Sequence, residues 1–282
     1  FHPHKISHFT TTDYVEYDPT HPITKRLLMC VREVYPDSQP DTHNWMMLLF
    51  ASALDGCVKD PYFIVGYGGG ANAKSFLSEL MRNTLGNTYS ATLPVGTLTA
   101  KTTGGQANPD LYMIINARWT CFSESDSMQK VNTALIKTLT GQEHIALRGL
   151  FKDMINIKPK CVFFMLTNHH IEISDTSYGA FRRFKIVPHM MQFCQDPEDY
   201  DAKNPFHRIA DKELTKTFNS RPDVCSRWLS ILLHYRKIFY QKYKGSLANV
   251  PHPHIIVATN EYRSTQDKIN VFINARGVLN KK

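Results

Sequence analysis

The chain predicts an α/β fold in which a parallel sheet is covered by helices on both faces, and three features between residues 62 and 188 predict it. Short apolar runs alternate with helical stretches there, the alternation expected when crossover helices cover a parallel sheet. A glycine-rich turn joins the first run directly to a helical pattern. Two later runs end in acidic or amide residues, where a site at the ends of strands would lie. Flanking stretches are expected to be helical, which divides the chain into a mostly helical lead-in and oligomerisation segment (1–58), the α/β core (59–193) and a C-terminal helical domain (194–282).

In chain order, residues 41–53 (DTHNWMMLLFASA) read as a buried helix opened by an Asp or Thr cap. The predicted strands are 62–67, 119–123, 161–167 and 184–187, with helices over 76–85 and 128–139. A polar, acid-rich loop (194–204) leads to a helix over 224–244 with an aromatic and leucine face. There is no internal repeat and no low-complexity tract.

At 282 residues and 42% hydrophobic content the chain can bury a large core. It begins at Phe1 without an apolar or arginine-rich leader, which suggests a piece of a longer polypeptide. The longest apolar runs, 161–166 and 228–233, fall far short of the roughly 20 residues that cross a bilayer, so a soluble protein is expected. A formal charge of +8 suits a polyanionic partner, although many basic proteins bind no nucleic acid. Six cysteines without a Cys-x-x-Cys pair predict reduced, mostly buried thiols in cytosol or nucleus. His169 with His170 and His252 with His254 lack companion ligands, so structural or solvated roles are expected of them.

The chemistry concentrates in a few motifs. Gly68-Gly69-Gly70-Ala71-Asn72-Ala73-Lys74-Ser75 stands between strand and helix, where backbone N–H groups and a helix N-terminus can face a phosphate. Lys74 would reach the outer phosphates of ATP and Ser75 would hold Mg²⁺. Ala73 stands where Gly is usual, and Ala lacks the freedom of Gly at positive φ. The bland alternative is a glycine-rich turn with a chance Lys-Ser pair; the strand before and the helix after argue against it.

Trp119-Thr120-Cys121-Phe122-Ser123 runs into Glu124 and Asp126, one of which would hold Mg²⁺ while one activates the attacking water. Glu124 is the first choice; Asp126 could equally cap the following helix. Asn168 closes the 161–167 strand, where an amide can contact both a γ-phosphate and the lytic water, the role called sensor 1 in AAA+ ATPases. Read alone it is a turn residue. Arg182 and Arg183 precede the last core strand, placed for one of them to act on a neighbouring subunit's nucleotide.

From about Leu48 to Ile273 the order of these pieces resembles the superfamily 3 helicase module of the primase-helicases of nucleocytoplasmic large DNA viruses. Further pieces of the resemblance are Lys137-Thr138-Leu139-Thr140-Gly141 followed by Arg148, Asp175 before the arginine pair, and Ala258-Thr259-Asn260-Glu261-Tyr262-Arg263. The resemblance implies an AAA+ P-loop NTPase core, a homo-hexameric ring and ATP- and Mg²⁺-dependent unwinding. It also implies single-stranded or forked DNA as partner, a primase domain linked to or associated with the chain, no membrane, and residence in a cytoplasmic viral replication factory or the nucleus. The segment 144–158 would form a hairpin aimed into the ring's channel, with Arg148, Phe151 and Lys152 on DNA. Two departures matter: Ala73 stands for the family's common Gly, and Asp126 stands where a Glu is frequent. A ring that serves as DNA clamp or primase-tethering platform without unwinding, and a P-loop ATPase acting on RNA or protein, are the alternatives.

Overall fold

A computed structural model describes residues 8–57, 59–99, 107–123, 130–173, 175 and 177–266. Two helices come first, α1 (Pro22–Val34) and α2 (Pro40–Ser52), each with proline in its first turn, where the missing N–H costs nothing. The α/β core follows: β1 (Phe63–Tyr67), α3 (Lys74–Tyr89), β2 (Ser90–Pro94), α4 (Pro109–Tyr112), β3 (Trp119–Ser123), β4 (Lys130–Val131) and α5 (Thr133–Thr140). It continues with β5 (Ile145–Arg148), β6 (Met154–Ile157), β7 (Val162–Thr167), β8 (Glu172–Ile173), α6 (Tyr178–Phe181) and β9 (Phe184–Pro188). The rest is β10 (Gln192–Cys194), β11 (His207–Ile209), α7 (Lys212–Lys216), α8 (Pro222–Tyr243) and α9 (Pro253–Gln266).

The central sheet has strand order β2-β3-β7-β1-β9, with every pairing parallel. Alternate residues of its strands face two separate apolar cores, as a doubly covered sheet requires. Ile64, Trp119, Val162, Phe164 and Val187 face α1, α2, α3 and α8; Phe63, Val65, Phe163, Met165, Phe184 and Ile186 face α5 and Tyr262 of α9. The N-terminal helices and α8 therefore share one core with the sheet.

Two expectations about helix starts are corrected. The helix expected over 41–53 begins at Pro40 with no side-chain cap, and neither Asp41 nor Thr42 opens it. Asp41 instead accepts from the backbone N–H of His254 and pairs with its imidazole, fastening α2 to α9. The helix expected over 128–139 starts only at Thr133. Its cap is Asn132, whose Oδ1 accepts from the N–H groups of Ala134 and Leu135, so Asp126 is not the cap of that helix. β2, missed in the sequence, is an edge strand that leaves α3 without an intervening loop; Gly86, at φ 72°, ends the regular helix just before it.

Among the described residues no helix is long and apolar enough to cross a membrane. All six cysteines are free thiols and five are buried. Burial pushes Cys30 and Cys161 up to about 12, which keeps them protonated and unreactive.

Trp228 of α8 ties the helical layer together: it is fully buried, meets Phe50 of α2 edge-on at 6.0 Å and donates its indole N–H to Met81 of α3. Trp228→Ala is expected to lower unfolding free energy by about 3–5 kcal/mol in urea titrations.

Candidate active site

The site forms where β1 and β7 end side by side. Tyr67 pairs with Thr167 in parallel register, so Gly68 and Asn168 leave the sheet as neighbours at its C-terminal edge, where open α/β sheets bind ligands. The Lys74 ammonium, almost fully buried, donates to the carbonyl oxygens of Gly68 (2.6 Å) and Gly69 (3.1 Å) and to Oδ1 of Asn168 (2.8 Å). Residues 94 positions apart in the chain are thus joined directly.

The loop's shape is imposed from below. A Cβ on Gly68 would lie 2.3 Å from the carbonyl oxygen of His189, which follows β9, so the backbones approach too closely for any side chain. Asn72 is buried and donates through Nδ2 to the carbonyls of Gly69 and His189. Phe193 of β10 donates its N–H to Ala71 O at 2.7 Å, a third brace. Gly69 and Gly70 have open space on the side where a Cβ would stand. Ala73 does occupy the left-handed region, at φ 59°, and so does Ala71, at φ 56°. Each costs roughly 1–2 kcal/mol relative to a right-handed residue. The braces hold both.

The donor set fits a polyphosphate. α3 begins directly at Lys74 with no side-chain cap on its first turn, leaving a helix N-terminus, a lysine and an open glycine face together. Ser75 lines a cleft of about 320 Å³ with Ser78, Glu79 and Arg82 of α3 and with Cys121 and Ser123 of β3. Glu124 and Asp126 lie outside the described residues; the chain enters them from Ser123 at that cleft. Among the described residues no group of three or more His, Cys, Asp or Glu could hold a metal ion.

His189 is the residue that sequence reasoning missed. Its ring is buried beside Lys74 and meets Tyr35 Oη through Nε2 at 3.2 Å. Burial first, then the nearby Lys74 charge, pulls its pKa down to about 3. A lone His after a strand carries no sequence signal for this role, because only the sheet order puts it beneath the loop.

Arg182 and Arg183 stand at the opposite end of the sheet. They precede β9 at the level where β1 starts, about 17 Å of strand away from the P-loop end. Arg183 is half-buried and donates to Thr140 Oγ1 at 3.2 Å within its own chain. Arg182 is exposed and lines an open cleft of about 430 Å³ with Tyr178, Lys185, Asn260 and Arg263. Lys137 and Asp175, two residues of the sequence resemblance, form an ion pair at 2.8 Å that fixes the chain ahead of α6. That contact and the Ser177 N–H and side chain hold the Asp175 carboxyl down at about 2.

β5 and β6 form an antiparallel hairpin over the segment expected to do so. Its tip presents Phe151, 96% exposed, next to exposed Leu150 and Lys152; Arg148 ends β5, also exposed. The ring of Tyr112 from α4 supports the tip: it lies against Gly149, and the Lys152 ammonium sits 5.1 Å from its centre.

Fold and site together define an α/β protein with a central parallel sheet flanked by helices and a glycine-rich loop between β1 and α3. No family model matches the chain. Its homologues are proteins of large DNA viruses: the African swine fever virus protein C962R, named as a primase, is 26% identical over 279 residues, covering 99% of this chain and 28% of that protein. The mimivirus protein L207/L206 and the frog virus 3 protein 022R, both named as helicases, are 29% and 25% identical over 95% and 89% of this chain. The chain spans about a quarter of these relatives, 28%, 27% and 25% of their lengths. Among solved structures, the apo form of the NrS-1 C-terminal region matches the fold with a TM-score of 0.54 at 15% identity, over 96% of this chain and 61% of that one.

Two measurements check the loop. Gly68→Ala should cost about 1–3 kcal/mol in urea denaturation through forced overpacking, whereas Gly70→Ala should stay within about 0.5 kcal/mol. His189 has a folded pKa below its ordinary 6.5, so its contribution is fully present above pH 6.5 and is lost as pH falls toward about 3. The loss of stability over that window should be shallower in His189→Gln than in the parent chain.

Proposed function

We propose that this chain is the ATP-hydrolysing motor of a viral replicative DNA helicase, working as a hexameric ring that translocates on single-stranded DNA. The observation that carries the reading is the Lys74–Asn168 contact at the shared end of β1 and β7. It joins a phosphate-binding cation to an amide able to sense the γ-phosphate. Relatives named as helicases and a primase, similar over nearly the whole chain, support it.

In this reading the amides of residues 68–75 and the α3 N-terminus bind the phosphates of ATP, and Lys74 exchanges its loop carbonyls for phosphate oxygens. Ser75 and Glu124 are the residues that would hold Mg²⁺, which neutralises charge developing on the phosphates. Glu124, with Asp126 as second acid, takes the proton of the attacking water, and Asn168 orients that water. Arg182, exposed at the far end of the sheet, reaches the nucleotide of an adjacent subunit; Arg183, tied to Thr140, does not. At the hairpin, Phe151 offers a ring to bases while Lys152 and Arg148 meet phosphates. A primase domain is the expected neighbour within the longer viral protein.

The test is steady-state ATP hydrolysis with and without single-stranded DNA, with assembly followed by light scattering. Lys74→Ala should lower hydrolysis at least about a hundredfold, and Phe151→Ala with Lys152→Ala should abolish DNA stimulation while leaving basal turnover. Arg182→Ala should lose about three orders of magnitude and recover part of it when mixed with Lys74→Ala, since mixed rings contain intact composite sites. ATP binding in a formed ring with no hydrolysis would leave a clamp or tethering platform instead.

A further inference from the structure

The Ala258–Arg263 stretch stands out in the sequence, yet none of its residues enters the chemistry above. In the structure it lies on α9, and Tyr262 turns inward to the nucleotide end of the sheet. Its hydroxyl accepts from the N–H of Ile171 at 2.6 Å and donates to the carbonyl of the same residue at 3.0 Å, satisfying both backbone groups of one residue. Its ring is buried, stacks on His170 with centroids 4.8 Å apart and meets Tyr67 edge-on at 6.0 Å. Tyr67 and His170 themselves touch, at 4.6 Å.

The positions of these contacts matter. Tyr67 is the last residue before the glycine-rich loop, and His170 and Ile171 follow Asn168 by two and three residues. The turn that carries Asn168 is held at its start by Thr167, whose hydroxyl donates to His169 O and accepts from His169 N. At its end it is held by Tyr262. Farther along, Gln266 Oε1 accepts from Ile173 N, while Thr259 Oγ1 accepts from Ile186 N on β9.

We propose that Tyr262 is a positioning residue for γ-phosphate recognition: it fixes the turn after β7 against the end of β1 and so sets where Asn168 stands relative to Lys74. Removing the hydroxyl leaves two buried backbone groups unpaired and lets the turn move, while the ring keeps its packing. A displacement near 1 Å of a group that orients a reactant costs about a hundredfold in rate, with little change in nucleotide affinity that rests on the loop amides. This proposal rests on the reading of Asn168 given above.

The experiment compares kcat, KM for ATP, and affinities for a non-hydrolysable ATP analogue and for ADP in the whole chain carrying Tyr262→Phe. The expected result is a fall in kcat of about ten- to a hundredfold, with ADP affinity within roughly twofold and the preference for the ATP analogue over ADP lost. Equal weakening of analogue and ADP, or unchanged kcat, would overturn it, because a purely structural pillar does not discriminate a γ-phosphate. Should Tyr262→Phe not fold, His170→Ala removes the exposed ring stacked on Tyr262. It should give the same kcat-selective loss in smaller degree; parental kinetics there overturn the proposal. Asn168→Ala separates the two levels: if it hydrolyses ATP like the parent, the Asn168 reading fails and this inference with it, whereas a loss confined to Asn168→Ala removes only the role of Tyr262.

Discussion

Burying the Lys74 ammonium is the constraint around which the glycine-loop end of the sheet is arranged. A cation taken out of water is tolerated only where acceptors surround it. Among the described residues the Gly68 and Gly69 carbonyls and the Asn168 amide oxygen supply three. Two of those acceptors come from the loop and one from a strand end far away in sequence. The loop, the sheet register and the turn after β7 therefore hold one another in place. His189, kept neutral by burial and by the same lysine's charge, forms the floor under Gly68 and adds no competing cation.

The sheet separates two chemistries by its length. Its C-terminal edge gathers Lys74, Ser75 and Asn168, while its N-terminal edge carries Arg182 in an open cleft with Lys185 and Arg263. Parallel strands force this separation, since every strand delivers its end to the same side. An arginine that precedes β9 has no path to the loop that follows β1 in the same chain, whereas a neighbouring molecule can bring the two edges together. α9 touches both ends, through Tyr262 at one and through Thr259, Asn260 and Arg263 at the other.

Outside the sheet, the helices α1, α2 and α8 form an apolar layer on one face, where Phe50 is in ring contact with both Trp119 and Trp228. From the other face the β5–β6 hairpin projects, with exposed Leu150 and Phe151 at its tip. Phe151 holds φ 55°, a backbone state that bulky residues seldom adopt, and it turns the ring fully outward. Tyr112 packs closely against Gly149, its ring 3.1 Å from where a Cβ would stand, so the tip is supported from α4.

The sequence by itself determined the alternation of strands and helices, the P-loop, the strand ending in Asn168 and the hairpin segment. The first three are written in local periodicity or in residue types with one strong conformational use, whereas the hairpin is what the family resemblance implied. Local signals also misled: Asp41 reads as a cap but is spent on His254, and the run before Thr133 reads as helix although Asn132 supplies the cap. β2 escaped because an edge strand need not show the continuous apolar pattern of a central one, and here it follows a helix with only Gly86 marking the change. Only the tertiary structure decided that His189 floors the loop, that Arg182 rather than Arg183 stays exposed, and that Tyr262 pins the turn behind Asn168. Those relations depend on strand order and on residues far apart in sequence meeting, 117 positions apart for Asn72 and His189 and 91 for Ile171 and Tyr262, and no local pattern encodes such a meeting.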